Sequence, residues 1–151
     1  MTNEFRKVLV VDDEDMVTRN LKMLLKTETS FEPVTFNSAE QALEYVKTET
    51  LDAIVADFIM PGMNGFEFLK QAKEIQPSAS RLLLTGYADK ESAIRAINEI
   101  GLFYYLEKPW ENEFVLMVLR NAVERSQLLR QIRQRDDSIE DFRDKVWRML
   151  V

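Results

Sequence analysis

The sequence predicts one α/β domain, in which five parallel strands are covered by helices on both faces, with a long helix attached at its C-terminal end. Three features of the sequence predict this. Short apolar runs alternate with amphipathic stretches through residues 1–110, the links between them are short, and neither glycine nor proline occurs after Pro109. Strands and helices that alternate through short links form crossover connections, and repeated crossovers give a parallel, doubly wound sheet.

The five predicted strands are short apolar runs, and most of their residues are β-branched or aromatic. Runs of this length and composition are typical of strands buried within a sheet. The predicted strands cover residues 7–11, 34–36, 53–56, 81–84 and 103–106.

Four helices are predicted between the strands. Ser38, Asn64 and Asp89 are predicted to cap the second, third and fourth helices, because a short polar side chain can accept a hydrogen bond from the free N–H groups of the first turn. Gly101 is predicted to end the fourth helix. The residues predicted to face the core are Val17, Leu21, Leu24 and Leu25 in the first helix, Ala42, Leu43 and Val46 in the second, Phe68, Leu69 and Ala72 in the third, and Ala93, Ile94 and Ile97 in the fourth.

The region after Pro109 is predicted to be helical over residues 111–151, on the order of 60 Å at ~1.5 Å per residue. Its first part has an apolar stripe suited to packing on the sheet, and beyond about Glu124 the composition changes to dense mixed charge. We therefore predict a domain over residues 5–124 and a helical extension over residues 125–151. Alternating spacings of four and three predict a short coiled-coil seam in the extension. The seam positions are Leu128, Ile132, Arg135, Ile139, Phe142, Val146 and Met149.

Two interpretations of the extension remain open. In the first, it is a coiled coil that forms a homodimer or transmits a signal to an output domain beyond residue 151. In the second, it is a solvated helix, or the cut end of a longer protein, with no role of its own. Residues 124–151 include seven basic and six acidic side chains, which argues against a DNA-binding arm.

The composition excludes several kinds of chemistry. The chain has no cysteine and no histidine, so it has no thiolate nucleophile and no imidazole base, and any phosphohistidine donor must be another protein. A net charge of −6 disfavours direct nucleic-acid binding. No apolar run approaches the roughly 20 residues that span a bilayer, so no membrane association is expected. The lack of cysteine makes a cytoplasmic location the default expectation.

Polar side chains follow four of the five predicted strands. Asp12 and Asp13 follow the first strand, Asp57 the third, Thr85 the fourth and Lys108 the fifth. Ligands of open parallel sheets bind beyond the carboxyl ends of the strands, so we expect these five side chains to converge at one edge. Any one of them alone is more often a turn former or a helix cap, and the inference rests on all five together.

These residue types fit phosphoryl transfer to a carboxylate. Clustered carboxylates repel one another unless a cation lies among them, and Mg²⁺ is suited to the position because it prefers hard oxygen ligands and binds phosphate oxygens. Asp57 could attack a phosphoryl group and form an acyl phosphate. Mg²⁺ and Lys108 would offset the charge on the phosphoryl oxygens, and Thr85 could donate a hydrogen bond to one of them.

Four motifs in the chain carry a family resemblance. They are Val-Leu-Val-Val-Asp-Asp-Glu at 8–14, Asp-Phe-Ile-Met-Pro-Gly-Met-Asn-Gly at 57–65, Leu-Leu-Thr-Gly at 83–86 and Tyr-Leu-Glu-Lys-Pro-Trp at 105–110. In this order they resemble the response-regulator receiver domains of two-component signalling, across roughly residues 5–124. The resemblance implies the fold of the chemotaxis regulator, a flavodoxin-like sheet with strand order 2-1-3-4-5.

The resemblance also implies how the acidic residues are used. Asp57 would receive its phosphoryl group from the phosphohistidine of a sensor histidine kinase. Asp13, Asp57 and the backbone carbonyl of Ile59 would bind Mg²⁺ directly, with Asp12 acting through water.

Thr85 and Lys108 match the hydroxyl and the lysine of the family, and the bond between Lys108 and Pro109 is expected to be cis. Tyr105 matches its aromatic switch residue. Phosphorylation would draw the Thr85 hydroxyl towards the phosphoryl group, and Tyr105 would rotate into the vacated space. The alternative for Tyr105 is an ordinary core aromatic with its hydroxyl at the rim. Tyr104 is expected to point to the opposite side of the strand.

Two other functions compete with a signalling switch as interpretations of these residues. Phosphatases of the aspartyl-phosphate type share acidic strand ends, Mg²⁺ and a lysine, but they usually carry a second Asp two residues after the nucleophile, where this chain has Ile59. A stand-alone interaction module needs no helical extension. Trp110 weakly resembles receivers that are joined to catalytic output domains. We expect a phosphoacceptor and not an enzyme, with phosphorylation from small donors and self-dephosphorylation as its own reactions.

Overall fold

The computed structural model describes residues 6–150, without the side chain of Tyr87, and it confirms the predicted architecture. Five parallel strands form one sheet in the order β2-β1-β3-β4-β5, with helices on both faces. Phe5 and Val151, the predicted ends of the domain and of the extension, lie outside the described residues. The elements are β1 (Lys7–Val11), α1 (Asp15–Glu28), β2 (Glu32–Phe36), α2 (Ala39–Thr48), β3 (Ala53–Asp57), α3 (Gly65–Ile75), β4 (Ser80–Thr85), α4 (Lys90–Ile100), β5 (Tyr104–Glu107) and α5 (Asn112–Leu150), with a 3-10 turn at Tyr87–Asp89.

The strands continue into polar residues that the apolar runs did not mark. β2, β3 and β4 are longer than predicted, and β5 is shifted by one residue. The reason is that backbone pairing does not depend on hydropathy, and Asp57 pairs with Leu84 and Thr85 with Glu107 in the parallel register. Asp57 and Thr85 are therefore the last residues of their strands, and the sheet itself positions them.

The sheet separates two apolar clusters, because successive side chains of a strand point to opposite faces. Leu9 and Val11 of β1 join the cluster beneath α2, α3 and α4, whereas Val8 and Val10 join the cluster beneath α1 and α5. All four side chains are fully buried. Burial of one such side chain contributes about 1.5–3 kcal/mol, so packing on both faces holds the central strands firmly in place.

The first turns of α2 and α3 are capped as predicted. Ser38 Oγ accepts a hydrogen bond from the Gln41 N–H at 3.4 Å, and Asn64 Oδ1 accepts one from the Glu67 N–H at 2.8 Å. The residues predicted to face the core in α1, α2 and α3 are all buried.

The start and the inward face of α4 differ from the prediction. Asp89 does not cap the helix with its side chain, because it ends the 3-10 turn and its N–H bonds to the Gly86 carbonyl at 3.1 Å. Ile94 was wrongly assigned to the core and is 46% exposed. Gly101 ends the helix as predicted, with a φ of 65° that suits glycine. The buried stripe of α4, at spacings of three and four, consists of Ala93, Ala96 and Ile100.

The long C-terminal helix, α5, is continuous and has a packed part and an exposed part. Residues such as Val115, Leu119 and Ala122 pack on the sheet, and polar contacts with the domain continue to Ser126 and Arg130. Residues 131–150 are exposed, and the six apolar seam residues expose between 37% and 85% of their surface. The coiled coil and the boundary at residue 124 stay predictions.

Among residues 6–150, no helix combines the length and the apolar character needed to cross a membrane.

Candidate functional site

Three carboxylates meet at the carboxyl edge of the sheet, as predicted. Asp12 and Asp13 follow β1, and Asp57 ends β3. One carboxylate oxygen from each lies within 4.8 Å of the others. Asp12 is fully buried and Asp57 is 7% exposed, whereas Asp13 is exposed. The cluster is thus open to a ligand on the side of Asp13.

Lys108 lies directly beside two of these carboxylates. Its ammonium nitrogen is 2.8 Å from Asp12 Oδ2 and 3.2 Å from Asp57 Oδ1. Its backbone N–H donates to the Thr85 carbonyl at 2.8 Å, which ties the end of β5 to the end of β4. The bond between Lys108 and Pro109 is cis, as the resemblance implies. The lysine is therefore placed where it can contact a group attached to Asp57.

The electrostatics of the cluster favour a cation. Burial and, to a smaller extent, the charge of Asp12 raise the pKa of Asp57 to about 6, against the opposing effect of Lys108. Burial also raises the pKa of Asp12 against the opposing effect of its hydrogen bond with Lys108. Burial lowers the pKa of Lys108, but the two carboxylates outweigh this effect and the pKa is raised overall. Three carboxylates facing one ammonium fit a divalent cation that prefers hard oxygen ligands, such as Mg²⁺.

Thr85 has a buried hydroxyl at the same edge. The residue ends β4 one position beyond Leu84, which is paired with Asp57 across the strands. Its side chain is fully buried, and its Oγ1 finds no hydrogen-bond partner among the described residues. A buried hydroxyl without a partner costs about 1–3 kcal/mol, so the position suits a donor whose acceptor belongs to a ligand.

Gly65, at the start of α3, is required by the backbone of Asp57, and the sequence analysis missed it. A Cβ on Gly65 would lie 2.1 Å from the Asp57 carbonyl oxygen, a separation too short for any Cβ atom. Its N–H donates to the Phe58 carbonyl at 3.0 Å. The Asn-Gly pair at the end of the motif at 57–65 is the feature of the sequence that could indicate this close contact, whereas it predicts only a helix start in the sequence analysis.

Asp12 is held by backbone and side-chain contacts that the sequence analysis also missed. Its carbonyl accepts a hydrogen bond from the Asn37 amide nitrogen at 2.9 Å, and its Oδ1 accepts one from the Glu14 N–H at 2.9 Å. Asn37 follows β2, and no local pattern marks a contact of this kind between two loops.

The tyrosines of β5 lie on opposite faces of the strand, as expected. Tyr105 is half-buried against the cluster beneath α2, α3 and α4, but its ring stacks on that of Tyr104 with centroids 5.1 Å apart. Tyr104 is paired with Leu82, which belongs to the cluster beneath α1 and α5, and Tyr105 is paired with Leu83, which belongs to the other cluster, so the two side chains leave β5 on opposite faces although their rings approach each other. Tyr104 also contacts Phe114 of α5, with ring centroids 6.1 Å apart. Tyr104 thus connects the ring of Tyr105 to α5.

The structure brings Asp12, Asp13, Asp57 and Lys108 together and places Thr85 on the neighbouring strand end. Ile59 lies two residues beyond Asp57 with its side chain 62% exposed, and the role of its carbonyl stays a prediction.

Comparison with known proteins agrees with this geometry. The family model for the response regulator receiver domain matches residues 8–120. The chain belongs to the response regulator receiver family. The family is one of signalling domains and not of classical enzymes.

The receiver is similar to part of much longer regulators. It is 37% identical, over 82% of its length, to the hydrogenase transcriptional regulatory protein HoxA of Cupriavidus necator, and it covers 25% of that protein. It is 31% identical to the DNA-binding transcriptional regulator NtrC of Klebsiella pneumoniae, over 76% of the chain and 24% of that protein. The chain therefore spans about a quarter of the length of the curated relatives it matches.

One solved structure resembles the receiver over nearly its whole length. A response regulator receiver domain protein from Clostridium thermocellum is 33% identical with a TM-score of 0.77, over 83% of this chain and 99% of that one.

Proposed function

We propose that Asp57 accepts a phosphoryl group from the phosphohistidine of a sensor histidine kinase, and that the modified domain controls an output module. The observation that carries this proposal is the contact of Lys108 with both Asp12 and Asp57 at a strand edge where three carboxylates converge. In the reaction, an oxygen of Asp57 bonds to phosphorus while the phosphorus–nitrogen bond of the donor breaks and the imidazole leaves.

Mg²⁺ would be held by Asp13, Asp57 and the carbonyl of Ile59, with Asp12 acting through water. When bound, the ion would neutralise negative charge on the carboxylates and on the phosphoryl oxygens. Lys108, already in contact with Asp57 Oδ1, offers its ammonium to one of those oxygens. The hydroxyl of Thr85, which has no partner among the described side chains, donates to another.

The same hydroxyl would start the switch. When Thr85 turns towards the phosphoryl group, the loop that follows β4 moves with it. Tyr105 then has space to leave its stacking contact with Tyr104 and rotate inward. Because Tyr104 contacts Phe114, this rotation would alter the surface formed by α4, β5 and α5.

The output lies in sequence that the domain does not contain. The relatives named above are transcriptional regulators about three times as long as this chain, whereas another solved structure with 30% identity and a TM-score of 0.81 is an adenylate cyclase from Rhodopirellula baltica. That chain is covered over 96% of its length and covers 87% of this one. We propose an output domain after the extension, and a homodimer formed through the exposed seam of α5.

Intact-mass measurement tests the phosphoacceptor. Wild-type protein with Mg²⁺ and acetyl phosphate should gain one phosphoryl group, and it should gain none in the presence of a chelator. Asp57→Asn should gain none, because the attacking carboxylate is lost. Asp15→Asn, which removes an exposed carboxylate close to the same edge, is the matched control and should be labelled like the wild type. Equal labelling of Asp57→Asn and wild type would refute the assignment.

A further inference from the structure

A second polar cluster lies at the opposite edge of the sheet, where β3 and β4 begin. It consists of Asp52, Ser80, Ser126 and Arg130, and we name it the α5 clasp. Asp52, Ser80 and Ser126 expose 2% or less of their surface, and Arg130 is half-buried. Burial of a polar group costs free energy unless the group is hydrogen-bonded, so each contact within the clasp matters for stability.

The two serines of the clasp join α5 to the backbone of the sheet. The N–H of Ser80 donates to Ser126 Oγ at 2.8 Å, and Ser80 Oγ donates to the Ala122 carbonyl at 2.7 Å. Ser126 Oγ in turn donates to the Asp52 carbonyl. Two strand starts and two successive turns of α5 are thus linked through buried hydrogen bonds.

The charged pair extends the contact by one more turn of the helix. The Arg130 guanidinium forms an ion pair with Asp52 and donates to the Leu51 carbonyl at 3.3 Å. Asp52 Oδ2 also accepts the N–H of Lys7 at 2.8 Å, which brings the start of β1 into the clasp. A carboxylate that is 3% exposed depends on such partners, because an unpaired buried charge is strongly destabilising.

The clasp supplies directional contacts to α5, which apolar packing alone does not. The buried apolar residues of α5 end at Val123, and burial of apolar area is not directional. Hydrogen bonds to fixed backbone atoms, by contrast, define both the rotation of a helix about its axis and its position along that axis. Ser126 and Arg130 supply these bonds at the point where the helix leaves the domain.

We propose that the α5 clasp fixes the direction and the rotation with which the exposed segment, residues 131–150, leaves the receiver domain. The domain and this segment then move as one rigid unit. A conformational change at the domain surface is therefore transmitted along the helix to its C-terminal end. The proposal does not depend on the phosphoryl chemistry. The clasp lies at the start of β3 and β4, which are the two strands that end at Asp57 and Thr85.

Spin labels on the full chain test the rigid unit. The chain has no cysteine, so Lys70→Cys on α3 and Asp144→Cys on the exposed segment provide two defined labelling sites. Labelled protein diluted with an excess of unlabelled protein should give one narrow distribution of distances. Arg130→Gln combined with Ser126→Ala should broaden that distribution, whereas the control Arg133→Gln, at an exposed position one turn further on, should not.

Hydrogen exchange gives a second readout, first on the wild-type chain and then on one variant. The clasp predicts that amides of residues 126–130 exchange as slowly as those of residues 115–123. In Arg130→Gln they should exchange roughly ten- to a hundredfold faster, as expected when one buried charge-assisted hydrogen bond is lost.

Either of two results would overturn the proposal. One is a distance distribution in the clasp variant as narrow as that of the wild type, with circular dichroism showing an intact fold. The other is fast exchange of amides 126–130 in the wild type, which would place the end of the rigid contact near Val123.

Discussion

At the residue scale, the environment of Asp57 favours the protonated carboxyl when no cation is bound. Its pKa rises from an ordinary 3.8 to about 6, chiefly through burial, although Lys108 is in contact with it. A folded-state pKa above the unfolded value means that the folded protein binds the proton more tightly. The group therefore lowers stability progressively as the pH rises from about 4 to about 6, and the full loss remains above that range.

This linkage predicts the effect of Asp57→Asn on metal-free protein. At about pH 8 the substitution should raise the free energy of unfolding by about 1–3 kcal/mol, because an amide carries no charge to bury. At about pH 4.5 the gain should be much smaller. Urea unfolding in the presence of a chelator measures both values. A gain that is equal at the two pH values, or a loss at pH 8, would contradict this electrostatic account.

Gly65 provides a test of how closely the backbone of Asp57 is packed. Gly65→Ala should destabilise the domain by at least ~2 kcal/mol and slow phosphorylation, because the new Cβ would displace the Asp57 carbonyl oxygen 2.1 Å away. Gly86→Ala is the matched control for stability, since a Cβ there meets Asp89 Oδ2 at an ordinary 3.6 Å. Urea unfolding of the two variants compares them. Equal stability of the two would show that the contact is easily relieved.

Some site residues could be predicted from the sequence and others could not, for different physical reasons. Asp12, Asp57, Thr85 and Lys108 were predictable because each lies within two residues of the end of an apolar run, and parallel strands bring their carboxyl ends to one edge. Gly65 and Asn37 were not, because their roles depend on how closely two segments approach each other. Sequence spacing does not reveal that distance.

At the element scale, local capping patterns predicted two helix starts and missed one. Ser38 and Asn64 each precede a helix directly, so their side chains reach the first free N–H groups. Asp89 has the same chemistry, but the 3-10 turn before α4 uses its backbone differently. The assignment of Ile94 to the core was wrong for a related reason. The register of α4 on the sheet places small alanines inward and leaves this larger side chain exposed. Neither the turn nor the register follows from residues 89–97 alone.

The exposed seam of α5 gives a prediction at the same scale. If the seam forms a parallel dimer, Ile139→Asp should weaken the association by at least about tenfold, because a carboxylate would be desolvated without a partner. Gln134→Asp introduces the same charge on the same helix at a position outside the seam and is the control. Sedimentation equilibrium measures both. A wild-type chain that stays monomeric at high concentration would rule out the dimer and leave the extension as a linker.

At the scale of the whole molecule, the sheet has two polar edges with different roles. The carboxyl edge gathers the acidic residues and Lys108, and the opposite edge joins α5 to the start of the strands through Asp52. The order of the strands could be anticipated only from the family resemblance, whereas the parallel arrangement followed from the alternation of strands and helices. The clasp could not be anticipated at all, because Ser126 and Arg130 lie in a stretch whose composition suggested a free helix.

The central claim is that Asp57 itself carries the phosphoryl group, and chemical trapping tests it most directly. Borohydride reduces an aspartyl phosphate to homoserine, so protein phosphorylated with acetyl phosphate and Mg²⁺ should be treated with borohydride, digested and analysed by peptide mass spectrometry. The account predicts homoserine at position 57 and unmodified Asp at positions 12, 13 and 52. Homoserine at any of those three positions, with Asp57 unchanged, would contradict it.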